Sequence, residues 1–174
     1  MARHLEPRQE SVNIFLPERE APTTDQILYV LSGFPGTGKS TKAEELKKKL
    51  GLEHFEADQH FVKENGEYEF NEGEIRLAHQ NCLKFTILAL ENGKSCVVSN
   101  TFVQKWQLEP YLKYCRENGI VAKVIRYGDG GFTNDELAKR NVHGLDENTI
   151  QEKFRDLWEK DILTADSTPP WLRK

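Results

Sequence analysis

The chain has 174 residues, a length that suits one domain with a sizeable core. It carries 24 Lys and Arg against 28 Asp and Glu, and this net charge of −4 argues against a broad basic face for duplex nucleic acid. A local basic pocket for one phosphate or one strand end is compatible with that balance. The three cysteines, Cys82, Cys96 and Cys115, match no zinc-binding spacing and cannot all pair with one another, which favours a reduced, intracellular protein.

The N-terminal segment, residues 1–26, is rich in charge and proline, and only VNIFLP forms an apolar island. We interpret it as an extension or linker outside the site, with room for one edge strand. It has no apolar run long enough for a signal peptide or a membrane span, so we expect a soluble, cytoplasmic protein.

From residue 27 onward, strand and helix patterns alternate. The predicted helices cover roughly residues 39–50, 72–91 and 104–118, and the predicted strands are ILYVLS, HFEA, SCVVS and IVAKVIRY. This alternation predicts an α/β fold, with a parallel sheet of four to five strands and helices on both faces. A final helical pattern places four apolar residues on one face, namely Ile150, Phe154, Leu157 and Trp158. The tail, residues 161–174, is predicted to be irregular.

The turn after the first of these strands fits G-x-x-x-x-G-K-[ST], from Gly33 to Ser40. Glycines let backbone N–H groups face phosphate oxygens, and the helix that begins there adds the positive end of its dipole. Lys39 can reach the β and γ phosphates, and the Ser40 hydroxyl can ligate Mg²⁺. A ligand-free turn is the alternative, but the strand before and the helix after favour a site for ATP and Mg²⁺. The predicted cofactor-binding residues here are Gly33, Gly36, Thr37, Gly38, Lys39, Ser40 and Thr41.

Asp58, in HFEADQHF, falls at the carboxyl end of the second predicted strand. Ligands gather at this edge of an open parallel sheet. The carboxylate could accept the proton of an acceptor hydroxyl that attacks the γ-phosphoryl group. Capping of the following segment is an equally common use of Asp, and the spacing alone leaves both interpretations open.

The segment FTNDELAKRNVHGL, residues 132–145, is a helical pattern that follows a glycine-rich turn. Lys139 and Arg140 could lie over the phosphates as part of a lid and offset transition-state charge. The alternative is a solvated helix face, because an acidic residue precedes each of these two residues by four positions.

Four segments together, GFPGTGKST, EADQHF, CVVSNT and ELAKRNVHGL, resemble the polynucleotide-kinase-like P-loop kinases, which include the bacteriophage polynucleotide kinases and related ATPase domains. The resemblance runs from about Ile27 to Glu159, and the lid motif is rare in other P-loop families. It implies a P-loop NTPase/kinase domain with a helical lid over residues 27–160. It also implies functional residues: the general base Asp58, the phosphate-binding Lys39, the lid arginine Arg140, and the acceptor-shaping pair Asn100 and Thr101.

Departures from the family pattern concern the acceptor and the metal. Phe61 stands where the bacteriophage members have an arginine that helps to hold the substrate strand, and Phe102 takes the place of a polar residue. The third strand lacks the aspartate that many P-loop proteins supply for Mg²⁺, so Ser40, water and Asp58 would hold the metal. We assign His60 and Phe61 to the substrate site. They belong to a set that could stack on a base or pack in the core, namely Phe55, His60, Phe61, Tyr68 and Phe70.

The resulting functional hypotheses differ in the acceptor. The first is an ATP-dependent kinase that phosphorylates a 5′-hydroxyl of a nucleic acid or a nucleotide-like molecule. The second is a kinase for an unrelated small metabolite, which the acidic balance and Phe61 favour modestly. The third is a non-catalytic, ATP-dependent binding module. An NTPase switch is least favoured, because the third strand lacks its usual aspartate.

Overall fold

The computed structural model describes residues 11–15 and 24–162, without the side chains of residues 11–15 and 162. Five strands form one sheet in the order β1-β5-β2-β4-β3. The strands are β1 (Ser11–Phe15), β2 (Ile27–Ser32), β3 (Glu53–Phe55), β4 (Cys96–Asn100) and β5 (Val121–Arg126). Strands β2 to β5 are parallel, as the alternating sequence pattern predicts, and β1 pairs antiparallel with β5 at the edge.

The helices agree closely with the sequence pattern. They are α1 (Lys39–Leu50), α2 (Ile75–Glu91), α3 (Lys105–Glu117), α4 (Asn134–Arg140), α5 (Glu147–Ile150) and α6 (Asp156–Ile162). A π-helical turn, Gln151–Arg155, joins the last two, and 3₁₀ turns cover Ala57–Phe61 and Glu72–Glu74. The second predicted strand is shorter than expected because the chain enters the first 3₁₀ turn directly after Glu56.

Helices cover both faces of the sheet. Because side chains alternate along a strand, Leu28 and Val30 of β2 face one side and Leu31 faces the other. The first side packs under α2 and α3, and the second packs under α1 around Ala43. This doubly covered parallel sheet is the predicted P-loop fold class, and it places the carboxyl ends of β2 to β5 at one edge.

A separate apolar cluster lies beyond that edge. Its buried members are Phe34, Val103, Phe132, Leu137 and Ile150. Phe154, Leu157 and Trp158 pack against it, which confirms that the last helical pattern presents one apolar face. The cluster packs the three helices α4, α5 and α6 against Phe34. Phe34 belongs to the turn from Gly33 to Ser40, called the glycine-rich turn below, so the cluster fixes where the lid helix α4 lies on that turn.

The predicted edge strand of the N-terminal segment is β1, which pairs from Ser11 opposite Arg126 to Phe15 opposite Ala122. Residues 1–10, 16–23 and 163–174 lie outside the described residues, and with them most of the predicted extension and tail. The boundary at residue 26 stays a prediction.

All three cysteines are buried and unpaired, as the sequence predicts for a reduced protein. Burial raises the pKa of Cys96 and of Cys115 to about 12. Across the described ranges, no helix combines the length and the apolar character that a membrane crossing requires.

Candidate active site

The glycine-rich turn is fastened to the ends of both neighbouring strands. The Gly33 N–H donates to the Thr101 carbonyl at 3.0 Å, and the Phe34 N–H donates to the Gly128 carbonyl at 2.8 Å. The buried Thr37 hydroxyl donates to the Phe34 carbonyl at 2.8 Å. The turn is therefore held in shape by hydrogen bonds to both neighbouring strand ends and within itself.

Two glycines of the turn adopt the left-handed conformation that favours glycine, Gly36 at φ +86° and Gly38 at φ +88°. A Cβ on Gly36 would lie 3.1 Å from Arg140 Cβ, whereas a Cβ on Gly38 would meet nothing within 4 Å. A Cβ on Gly33 would lie 2.7 Å from the Thr37 hydroxyl oxygen. The turn is thus closed against the lid at Gly36 and open at Gly38, where α1 begins and where a phosphate fits.

Lys39, the first residue of α1, is half-buried and faces two carboxylates. Burial lowers the pKa of Lys39, and the charges of Glu56 and Asp58 oppose that change. The neighbouring Ser40 hydroxyl lies within hydrogen-bonding reach of Glu56. Thr41 is exposed on α1, and its role stays a prediction.

Glu56 is the functional candidate that the sequence analysis missed. Ser99 Oγ donates to Glu56 Oε1 at 2.5 Å, and His54 Nε2 lies 3.2 Å from the same oxygen. Burial raises the pKa of Glu56, but hydrogen bonds from His54, Ser40 and Ser99 outweigh burial and lower it to about 2. Glu56 is therefore ionised beside Lys39. The signal in the sequence was the E-x-D spacing, which places a second acid at the end of β3.

His54 ties this carboxylate to α1. Its side chain is 5% exposed, and its Nδ1 lies 2.8 Å from Oε1 of Glu44. Burial lowers the pKa of His54, but hydrogen bonds with Glu56 and Glu44 outweigh burial and raise it overall. Glu44, His54 and Glu56 therefore form a continuous set of contacts from α1 to the end of β3, and these contacts fix the Glu56 side chain.

Ser40 and Glu56 together offer the hard oxygen ligands that Mg²⁺ prefers. In the described residues, no group of three or more His, Cys, Asp or Glu side chains forms a metal cluster. A metal at this place would share its ligands with phosphate oxygens and water, which is the usual arrangement for Mg²⁺ beside a nucleotide. The residues present fit that arrangement.

Asp58 lies on the 3₁₀ turn with its side chain 47% exposed. Its Oδ2 lies 3.2 Å from His143 Nε2, and its Oδ1 lies 3.5 Å from the Tyr68 hydroxyl, which is the outer limit of a hydrogen bond. Burial and the Asp58 charge raise the pKa of Tyr68 to about 12. Among the described contacts, Asp58 caps no backbone N–H group, so the capping alternative loses support.

The predicted polar pair lies at the carboxyl end of β4, where its two residues bind the backbone of neighbouring segments of the site. Asn100 is buried, and its Oδ1 accepts from the Ala57 N–H at 2.8 Å. This bond holds the backbone between Glu56 and Asp58. Thr101 is half-buried, and its carbonyl accepts the Gly33 N–H. Direct contact of either residue with an acceptor stays a prediction.

The predicted substrate residues on the 3₁₀ turn face α2 and the core. His60 Nε2 lies 3.0 Å from Glu74 Oε2, and Asn81 Nδ2 lies 3.2 Å from His60 Nδ1. Phe61 is 5% exposed and belongs to the main core. Their assignment to the substrate stays a prediction, since neither side chain lies open beside Asp58.

Two other aromatic residues of the same set are exposed, Tyr68 by 45% and Phe70 by 54%. Both rings contact Phe61, with centroids 6.1 Å and 5.2 Å away. The core interpretation therefore holds for Phe61 and for the partly buried Phe55, whereas Tyr68 and Phe70 are exposed, with the Tyr68 hydroxyl beside Asp58.

The lid helix uses its two basic residues differently. Lys139 Nζ pairs with Asp135 Oδ2 at 2.6 Å, as the i,i+4 alternative predicts. Arg140 Nε instead donates to the Gly36 carbonyl at 2.9 Å, and its guanidinium lies 4.2 Å from the Phe132 ring centroid. The structure thus brings Arg140 to the phosphate-binding turn.

Comparison with known proteins identifies a family for most of the chain. A family model described as AAA domain matches residues 28–154. The chain belongs to the AAA domain family. This AAA domain is 27% identical over 154 residues to human NEDD4-binding protein 2, a match that covers 85% of the chain and 9% of that relative. The chain therefore spans about a tenth of the length of that curated relative.

Several solved structures share the fold of this AAA domain. A chain of the Pnkp1/Rnl/Hen1 RNA repair complex matches with a TM-score of 0.63 and 17% identity, over 87% of this chain and 50% of that chain. A putative kinase from Chloroflexus aurantiacus matches with a TM-score of 0.54 and 20% identity, over 68% and 66%. A sugar kinase from Janibacter sp. HTCC2649 matches with a TM-score of 0.50 and 16% identity, over 83% and 80%. These likenesses show a P-loop kinase fold and leave the acceptor open.

Proposed function

We propose that this AAA domain is an ATP-dependent, polynucleotide-kinase-like phosphotransferase. One observation carries the proposal. Lys39 stands at the open end of the glycine-rich turn and faces both Glu56 and Asp58, while Arg140 reaches the same turn from the lid. One side of this arrangement suits a triphosphate, and the other offers a half-exposed carboxylate to a hydroxyl.

The proposed reaction is an in-line transfer. The acceptor oxygen attacks the γ-phosphorus of ATP, the bond from that phosphorus to the β,γ-bridging oxygen breaks, and ADP leaves. The proton of the acceptor hydroxyl passes to the carboxylate of Asp58. Asp58 suits this step because its side chain is 47% exposed and lies close enough to Lys39 for its charge to act on that amine.

Phosphate charge is offset by residues on both sides of the turn. Lys39 provides a cation at the start of α1, and Arg140 provides a second one from α4. Ser40 and Glu56 are the residues that would hold Mg²⁺. The ion, when bound, neutralises charge on the phosphate oxygens.

For the acceptor, we propose a 5′-hydroxyl of a nucleic acid or a nucleotide-like molecule. The exposed ring of Tyr68 beside Asp58, and the exposed ring of Phe70, which packs on Phe61 as Tyr68 does, support it, because aromatic faces stack on bases. The matched chain from an RNA repair complex is consistent with it. A small-metabolite kinase is the second candidate, because the buried Phe61 provides no cation for a polyanion.

Transfer of labelled γ-phosphate tests the proposal. The panel contains 5′-hydroxyl single-stranded RNA, the matching DNA, pooled nucleosides and small hydroxylated metabolites, with Mg²⁺ and ATP. We expect label on an oligonucleotide end, slowed about 100- to 10,000-fold but still measurable in Asp58→Asn, and unchanged in Asp25→Asn, an exposed aspartate elsewhere in the chain. Label only on a small metabolite would support the second candidate. ATP binding without any transfer would contradict both and support a non-catalytic binding module.

A further inference from the structure

The turn after the lid helix is shaped by a single side chain. Asn141 Nδ2 donates to the carbonyls of Leu137, Ala138 and Leu145 at 3.0, 2.9 and 2.9 Å. Its Oδ1 accepts the N–H groups of His143 and Leu145 at 3.2 and 2.9 Å. These bonds tie the last turn of α4 to Leu145, so the turn is rigid and moves with α4.

The residues on either side of Asn141 reach opposite ends of the site. Arg140 Nε contacts the Gly36 carbonyl on the nucleotide side. His143 Nε2 lies 3.2 Å from Asp58 Oδ2 on the acceptor side, and its ring lies 5.8 Å from that of Tyr68. Val142, between them, is 91% exposed. One short rigid segment therefore touches both the phosphate-binding turn and the proposed base.

We propose that His143 is a positioning residue for Asp58, and that it orients this carboxylate only when the lid is docked on the phosphate-binding turn. This inference rests on the proposed function and concerns the same site. A half-exposed Asp on a short 3₁₀ turn has several side-chain rotamers, and a contact at Oδ2 restricts them. Reactive geometry is sensitive to displacements of this size, because a shift of about 1 Å can cost roughly 100-fold in rate.

In this arrangement, a movement of the lid on the nucleotide side changes the contacts of Asp58 on the acceptor side. When Arg140 leaves Gly36, the rigid turn carries His143 away, and Asp58 loses its orienting contact. The base is then aimed at an acceptor only while the lid covers the nucleotide. This coupling reduces transfer of the phosphoryl group to water when the lid is open.

A simpler role for His143 is to hold the lid closed. That role changes nucleotide affinity, and its cost disappears when nucleotide is saturating. The positioning role changes the rate of transfer at saturating nucleotide, and its cost disappears when Asp58 is removed, because residues that act through one another are not additive.

Four variants separate these roles: His143→Ala, His143→Gln, His143→Asn and Val142→Ala. Gln can place its side-chain nitrogen where Nε2 lies, whereas the nitrogen of Asn corresponds to Nδ1 and falls short. Single-turnover transfer is measured at saturating Mg²⁺ and ATP, with the acceptor that the panel identifies. Equilibrium binding of a non-hydrolysable ATP analogue is measured in parallel.

We expect His143→Ala and His143→Asn to slow transfer about 10- to 100-fold, with nucleotide affinity within about twofold of wild type. His143→Gln retains most of the rate, and Val142→Ala behaves as wild type. In the Asp58→Asn background, His143→Ala causes no further loss. If the Ala variant does not fold, the comparison of Gln with Asn decides the question.

Equal rates for the Gln and Asn variants, or the same loss from His143→Ala in both backgrounds, would overturn the inference. A wild-type protein that labels no acceptor in the panel refutes the proposed function itself. An active wild type with an unaffected His143→Ala variant refutes the positioning role alone.

Discussion

The nucleotide side and the acceptor side of the proposed site are formed by different chemical groups. On the nucleotide side, backbone N–H groups, glycines and the start of α1 make the surface, and hydrogen bonds to Thr101 and Gly128 hold it in place. On the acceptor side, side chains make the surface, and Asp58 and Tyr68 are about half exposed. The first side is complete in the isolated chain, whereas the second offers open groups.

This difference indicates where specificity resides. Backbone groups fit any triphosphate of the right shape, so the nucleotide side needs few particular side chains beyond Lys39 and Ser40. The acceptor side depends on Asp58, Tyr68 and His143, which come from separate segments. Under the proposed function, we expect substitutions there to change which acceptor is used, and substitutions in the turn to remove activity toward all acceptors.

The largest expected effect is loss of the cation at the turn. Lys39→Ala should lower transfer by roughly 1,000-fold or more for every acceptor, because it removes charge stabilisation that the whole reaction needs. Lys42→Ala is the matched control, since Lys42 lies three residues further along α1 and pairs with Glu45 at the surface. Initial rates on two different acceptors test this. A loss confined to one acceptor would contradict the idea that the nucleotide side serves every acceptor equally.

A second substitution tests the contact between the turn and the lid. Gly36→Ala combines an unfavourable φ of +86° with a Cβ 3.1 Å from Arg140 Cβ, so we expect nucleotide affinity to fall at least about tenfold. Gly93→Ala carries a similar φ of +79° with nothing within 4 Å, and it reports the cost of backbone strain alone. Nucleotide binding and thermal unfolding of both variants separate the two costs. Equal affinities would contradict a lid docked on Gly36.

The role of Glu56 gives a smaller, metal-dependent effect. Glu56→Gln keeps the shape but removes the charge beside Ser40, so the Mg²⁺ concentration for half-maximal rate should rise about 10- to 100-fold. Glu53→Gln changes an exposed acid on β3, three residues earlier, and should leave it unchanged. Magnesium titrations of the initial rate decide this. An unchanged Mg²⁺ concentration for half-maximal rate would show that Glu56 does not hold the metal, and it would leave Ser40 as the proposed protein ligand.

The smallest effect concerns stability against pH. The pKa of Glu56 falls from 4.5 to about 2 on folding, so its contribution is complete above pH 4.5 and is lost as the pH falls toward 2. The pKa of His54 is raised above 6.5, so its contribution is complete below pH 6.5 and is lost as the pH rises through the folded value. Melting temperatures of wild type and His54→Gln should therefore differ by a few degrees at pH 5.5 and converge at high pH. A constant difference would indicate a packing role alone.

Sequence reasoning succeeded where the signal is local. The predicted helix at roughly residues 39–50 agrees with α1, Lys39–Leu50, which Gly38 and Gly51 flank in the structure. The parallel sheet followed from the alternation of strands and helices, and β1 joined it as an antiparallel edge. The position of Arg140 was left open by its spacing, because the i,i+4 pattern fits it equally well, and tertiary packing of α4 on the turn decided otherwise.

The acceptor side was less predictable for a physical reason. Glu56 owes its low pKa to hydrogen bonds with His54, Ser40 and Ser99, the last of them 43 positions away, and Asp58 contacts His143 at the end of the lid. Contacts between distant segments leave no periodic pattern in a single sequence. The aromatic set was also divided by the fold, since Phe61 is core and Phe70 is surface.

The burial of the three cysteines has a practical consequence for observing the lid. Thiol-directed dyes react with thiolates, and Cys96 and Cys115, with pKa values of about 12, carry almost none at neutral pH. A Val142→Cys variant would place one accessible thiol on the segment between Arg140 and His143. A fluorophore attached there reports opening and closing in real time, against a background that the native fold keeps chemically silent.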